Sequence, residues 1–228
     1  MFSVADKWNP KQKQLKNIIL KEDKFKETID LILDLHSMVH TRDMSGRDIQ
    51  TLEDELWDGL DNKAFATMPT KEDVTIAWNI WHITRIEDLT ANILIADDTQ
   101  EFICHNWPAK LNIEVTDTGN AMSDDEIIDF SQKVSMEELR KYRMAVGRKT
   151  RDVIQKLKPD DLKKKVRKDR LDRVFNEGGV LDVNDSKWLL DFWGQKNIAG
   201  LILMPVTRHQ VVHLNDSLKL KKKCSKMR

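Results

Sequence analysis

Four of the six histidines in this 228-residue chain fall into two pairs at four-residue spacing, His36 with His40 and His209 with His213. Four residues of helix turn through about 400°, so each pair would place both rings on one face, roughly 6 Å apart along the axis. Two imidazoles so spaced reach a single ion, and neutral imidazole suits Zn, Ni, Cu and Fe. Taken alone, the His209-Gln210-Val211-Val212-His213 motif equally describes two polar residues on a partly exposed helix face. No glutamate follows its first histidine, so it is not the HExxH pattern of metalloproteases. His82 changes the weighing. It sits mid-helix among Trp78, Ile80, Trp81 and Ile83. A lone histidine there would be a satisfied core residue; beside a second mid-helix pair it becomes a third ligand. His82, His209 and His213 are therefore the expected metal ligands. Three imidazoles with an open coordination position make the composition of a catalytic site rather than a closed structural one. A divalent ion lowers the pKa of bound water to about 7 and deprotonates a bound thiol.

Other residues stand near this set in sequence. His36 and His40 are expected either near the surface or behind the ligands, or with one ring turned to the cavity as a substrate-side group or proton shuttle. Arg85, three residues after His82, could hold an anionic substrate; the simpler reading is a salt bridge to Glu87, Asp88 or another helix. Glu87 and Asp88 are candidates to orient a histidine. Trp78 and Trp81 read as core or pocket wall. His105 has no partner at ligand spacing. Cys104 and Cys224 lie in a loop and a basic tail, so no intrinsic nucleophile stands out and a borrowed thiol would fit.

The elements that must position these residues read as helices, since apolar residues recur at three- and four-residue spacing and few alternating runs occur. A helix is expected over 22–43, stopped by Ser45-Gly46, and a short one over 51–60. A second long helix starts near 71, capped by Thr70 with Asp73 in support, and ends near Ala96. Residues 97–133 form an inserted connection with a short helix capped by Ser123. Ser135, backed by Glu138, caps a third long helix over 136–156. A basic stretch after Pro159, Lys163 to Arg170, reads as a solvated face. Gly178-Gly179 ends it, and a segment over 187–193 is capped by residues 184–186. The last long helix covers 197–218 and contains Pro205, with a kink or restart expected near Leu201. The tail 219–228 is expected to fray. Four long helices imply an all-α four-helix bundle with short helices in its connections, as one domain over 1–228.

Composition narrows the function classes. Lys+Arg and Asp+Glu both number 38, so the formal net charge is zero and no basic field for nucleic acid exists. Two distant cysteines make no disulfide framework and suggest a reducing setting. No run reaches the roughly 18 apolar residues of a membrane span, and the first sixteen residues lack the apolar centre of a signal peptide. A cytoplasmic protein without membrane or nucleic-acid partners is expected.

The motifs Trp78-Asn79-Ile80-Trp81-His82-Ile83-Thr84-Arg85-Ile86-Glu87-Asp88 and Thr207-Arg208-His209-Gln210-Val211-Val212-His213-Leu214-Asn215-Asp216 resemble those of the DinB-like four-helix-bundle superfamily. That superfamily includes thiol-dependent transferases of the maleylpyruvate isomerase, bacillithiol and mycothiol type. The resemblance covers the main helices; residues 97–133 and 158–196 are longer than its usual linkers. It implies a divalent ion, Zn or Ni, held by His82, His209 and His213. It also implies a low-molecular-weight thiol activated for attack on an electrophile, and a homodimer as the expected association. A non-catalytic bundle holding metal for structure, sensing or stress, and a metal-dependent hydrolase, are the alternatives to a transferase.

Overall fold

Residues 2–227 are described by a computed structural model, and every regular element among them is a helix. Five helices frame the molecule, α1 (Asn9–Ile18), α2 (Phe25–Met38), α3 (Ile76–Asp88), α4 (Met136–Lys156) and α5 (His209–Lys226). Shorter helices, Leu52–Trp57, Asp124–Lys133, Lys168–Asn176 and Asn184–Gly194 among them, fill the connections. The all-α bundle is thus present as expected.

Helix α3 is the axle of the molecule. It continues through a π-helical turn, Leu89–Ile95, and packs on both α4 and α5. Nearly every side chain from Ile76 to Ile95 is buried. Its apolar members, Ile76, Ile80, Trp81, Ile83 and Ile86, join Leu139, Tyr142, Val146, Leu214 and Ile32 in one core. A helix buried all round normally excludes polar groups, yet this one carries Asn79, His82, Thr84, Arg85, Glu87 and Asp88 inside. Buried polar groups persist where they are paired, so these residues mark where the bundle is wired rather than oiled.

Boundaries differ from the sequence reading in places with clear causes. Thr75, not Thr70, caps α3, its hydroxyl accepting from Trp78 N at 2.9 Å. The Thr70 hydroxyl instead donates to Asp73 at 2.7 Å inside the preceding turn. The helix expected over 22–43 divides into a 3-10 turn (Glu22–Lys24), α2 and a four-residue helix, Arg42–Ser45, with His40 in the intervening turn. Ser123 and Ser135 cap as expected. The first residues, read only as leader-like or not, form a π turn (Val4–Trp8) and α1, with Trp8 and Leu15 in the core.

The largest corrections concern the last helix. At Pro205 the helix does not end: beside Leu201, where the sequence predicts a kink or restart, it changes type and the chain widens into a π helix, Ile202–Arg208, in which the Thr207 hydroxyl and the Gln210 amide donate to the carbonyls of Ile202 and Pro205. A widened turn absorbs the missing proline N–H without ending the helix. The tail does not fray either. Helix α5 runs to Lys226 because Leu220 and Cys224 are buried and Lys221 Nζ donates to the carbonyls of Glu55 (2.9 Å) and Leu56 (3.0 Å) at the end of Leu52–Trp57. Arg228 lies outside the described residues.

Candidate metal centre

Helices α3 and α5 pack so that His82, His209 and His213 converge. One ligand nitrogen from each lies within 4.8 Å of the other two. Ring centroids are 4.8 Å apart for His82–His213, 5.0 Å for His82–His209 and 4.5 Å for His209–His213. His82 is buried, while His209 and His213 are half-buried beside the exposed Val212. The cluster is therefore closed on the bundle side and open toward solvent.

Two of the rings are held in a definite tautomer. His82 Nδ1 lies 2.8 Å from the Thr118 carbonyl, which only accepts, so Nδ1 carries the hydrogen and Nε2 keeps its lone pair. His213 Nδ1 donates to Asn79 Oδ1 at 2.8 Å in the same way. An outer partner that fixes the ring and raises its basicity is the usual companion of a ligating histidine. His209 Nδ1 is buried with no hydrogen-bond partner, so this ring's binding capacity is not spent inside the protein. Trp78 stacks on His82 at 4.6 Å with planes 9° apart, and its indole N–H donates to Gly119 O at 3.1 Å. Gly119 has φ +75°, and a Cβ there would come within 2.8 Å of the indole nitrogen. Glycine is thus required where the 117–119 strap presses on the tryptophan and presents its carbonyl to His82.

Burial dominates the electrostatics. It pushes the pKa of His82 down to about 3 and of His213 to about 4, and holds His209 well below its ordinary value. The three rings stay neutral at physiological pH, which is the form that binds a metal. No cysteine belongs to the group: Cys104 is exposed, and Cys224 is buried with its thiol toward Ala64 O.

The accessory residues lie elsewhere. His36 meets Glu87, its Nε2 2.7 Å from Oε1, while His40 Nε2 lies 3.0 Å from Oε2. Both rings are fully buried, which corrects the expectation of a surface position or of a ring turned to the cavity. Arg85 is not available to an anionic substrate. It is fully buried, and its five N–H groups go to Thr116 O, Asp88, Tyr142 and Gln100. The expected Arg85–Asp88 ion pair forms at 3.2 Å. Asp88 orients no histidine: it accepts from Tyr142, Asn92 and the backbone of Glu101 and Phe102. Glu87 does orient histidines, but His36 and His40. His105 pairs with Glu101 on the surface at 2.7 Å.

Sequence reasoning missed Asn79 and Thr118. Asn79 stands one helical turn before His82, so its place near the histidine cluster was visible, but its bond to His213 depends on how α5 packs. Thr118-Gly119 carried only a loop signal.

A family model described as the DinB superfamily matches residues 49–215, a span that includes α3, α4, His82, His209 and His213. No curated protein sequence matches the chain significantly. The match covers well over half the chain, and the chain belongs to the DinB superfamily.

Proposed function

We propose that this DinB-superfamily bundle holds one divalent ion, Zn or Ni, through His82, His209 and His213, and activates a small thiol for attack on an electrophile. The observation that carries the reading is the convergence of three neutral imidazoles to within 4.8 Å of one another, two of them fixed with Nε2 bare, with His209 and His213 half-buried toward solvent. A bound divalent ion would supply Lewis acidity enough to hold a thiol as thiolate at neutral pH. A thiol activated in this way would be suited to attack an electrophilic carbon.

The chain's own part is positional. Asn79 and the Thr118 carbonyl aim the rings, Trp78 screens one face of His82 from water, and the half-buried His209 and His213 leave the approach open. The absence of a cysteine from the cluster supports a thiol brought in from solution. The catalysed transfer, the choice of Zn or Ni, a homodimer and a cytoplasmic setting belong to this proposal; for the last, no described helix is long and apolar enough to cross a membrane.

The test is loss of a fluorescent electrophile followed with the metal-loaded protein and a panel of low-molecular-weight thiols. Turnover that needs both metal and thiol supports the transferase. Turnover with metal alone would make it a hydrolase. No turnover with any thiol, together with marked unfolding on chelation, would make the ion structural.

A further inference from the structure

We infer that His36, His40 and Glu87 form a second divalent-cation site, separate from the three-histidine centre. The two imidazoles bracket one carboxylate, His36 Nε2 at 2.7 Å from Oε1 and His40 Nε2 at 3.0 Å from Oε2, with ring centroids 4.3 Å apart. One ligand atom from each residue lies within 4.8 Å of the others. Ligands held about 2.1 Å from a first-row ion at right angles stand about 3 Å apart. The two imidazole–carboxylate separations, 2.7 and 3.0 Å, lie within a few tenths of an ångström of that spacing.

Charge calls for a cation there. Glu53, Glu87 and Arg143 are all buried, and one guanidinium faces two carboxylates. Arg143 Nε lies 3.0 Å from Glu53 Oε2, whereas its Nη1 is 3.9 Å from Glu87 Oε2. Glu53 is its close partner, and Glu87 is left with imidazoles as its nearest neighbours. A carboxylate removed from water without a matching positive charge is costly.

The cluster is also incomplete as a hydrogen-bond network. The Nδ1 atoms of His36 and His40 and Nη1 of Arg143 are buried without hydrogen-bond partners, whereas a network built only to be satisfied leaves few such atoms. Gly147 of α4 makes the seat for one ring: a Cβ there would stand 2.8 Å from His40 Nδ1. Glycine inside a 21-residue helix gives up about 1 kcal/mol of helix propensity, and the space it frees is filled by the imidazole.

His82 and Glu87 are five residues apart on α3, about 7.5 Å along the axis and on different faces. The second site is thus not the other half of a two-metal centre, whose ions stand about 3.5–4 Å apart. Two imidazoles and one carboxylate suit Zn(II), Fe(II) or Mn(II). All three ligands are buried, so the ion would exchange slowly and take no part in turnover.

The test uses tag-free His82→Ala/His213→Ala protein, shown folded by circular dichroism, loaded with Zn(II) and in a parallel sample with Mn(II), and passed through a desalting column before elemental analysis. The expected result is about one ion retained per chain, falling at least tenfold when Glu87→Gln is added; should that variant not fold, His36→Gln is the substitute. A folded double variant that retains neither ion overturns the inference, as does retention that survives both substitutions. The wild type separates this outcome from the first site. Two ions in wild type and one in the double variant support both sites; one ion in wild type that the double variant keeps removes the three-histidine reading alone, and one ion in wild type that the double variant loses removes the second site alone.

Discussion

The two histidine clusters of this bundle share a helix, α3, and differ in what stands behind the rings. At His82, His209 and His213 the partners are neutral, a backbone carbonyl and an amide oxygen, and one side faces solvent. At His36 and His40 the partner is a carboxylate, itself within reach of a guanidinium, and nothing faces solvent. The first arrangement leaves lone pairs available at low energetic cost and an approach for a ligand. The second binds its members to each other through charge. Equal spacing in the sequence thus leads to two chemistries, and the difference lies in residues that neither motif contains.

The contrast sharpens first through removal of a ligand. His213→Ala should lower affinity for Zn(II) by at least about a thousandfold, since one of only three protein ligands is lost, while leaving the chelated protein's urea midpoint nearly unchanged. Competition against a chromophoric chelator measures the first quantity. Glu87→Ala should behave in the opposite way: it should cost about 3–5 kcal/mol in chelated protein, because Arg143 and two buried imidazoles lose their carboxylate. Urea unfolding monitored by tryptophan fluorescence would show it, and a loss under 1 kcal/mol would mean that the second cluster is not held together by charge.

Asn79→Ala comes next. It removes the acceptor from His213 Nδ1 and should weaken Zn(II) binding by about 10–100-fold without changing stoichiometry. Equal affinity in the variant would show that the Asn79 contact does not orient the ligand. The last comparison is through pH, which acts on both clusters at once. The folded pKa values of His82, His213 and His40 lie at about 3, 4 and 4 against 6.5 in the unfolded chain. Their folded forms resist protonation, so stability is full above about pH 6.5 and falls as pH drops from there toward about 4. Each such histidine contributes up to about 1.4 kcal/mol per pH unit inside that window. Unfolding midpoints of chelated protein at pH 7.5, 6 and 5 should fall in that order.

Much of this was legible in the sequence, for reasons that differ by residue. The four long helices followed from apolar spacing, and Ser123 and Ser135 announced their helices because a cap is a local interaction. The meeting of His82 with His209 and His213 could be anticipated because each sits mid-helix on an element the bundle must bring together. Local chemistry misled where tertiary packing competed with it. Thr70 looked like a cap but was taken by Asp73. The lysine-rich end of α5 looked frayed, yet buried Leu220 and Cys224 and the bonds from Lys221 hold it. His36 meets Glu87, a contact between helices that the spacing within either helix does not reveal. Arg85 could not be assigned from spacing because its acceptors, Thr116, Gln100 and Tyr142, come from distant parts of the chain.

The measurement closest to the central claim is elemental analysis of tag-free wild type beside His82→Ala, both grown with Zn and Ni supplied. With His82, His209 and His213 as the ligands, His82→Ala holds one Zn or Ni per chain fewer than wild type while keeping its helical circular dichroism. A folded His82→Ala protein with the same metal content as wild type would contradict it.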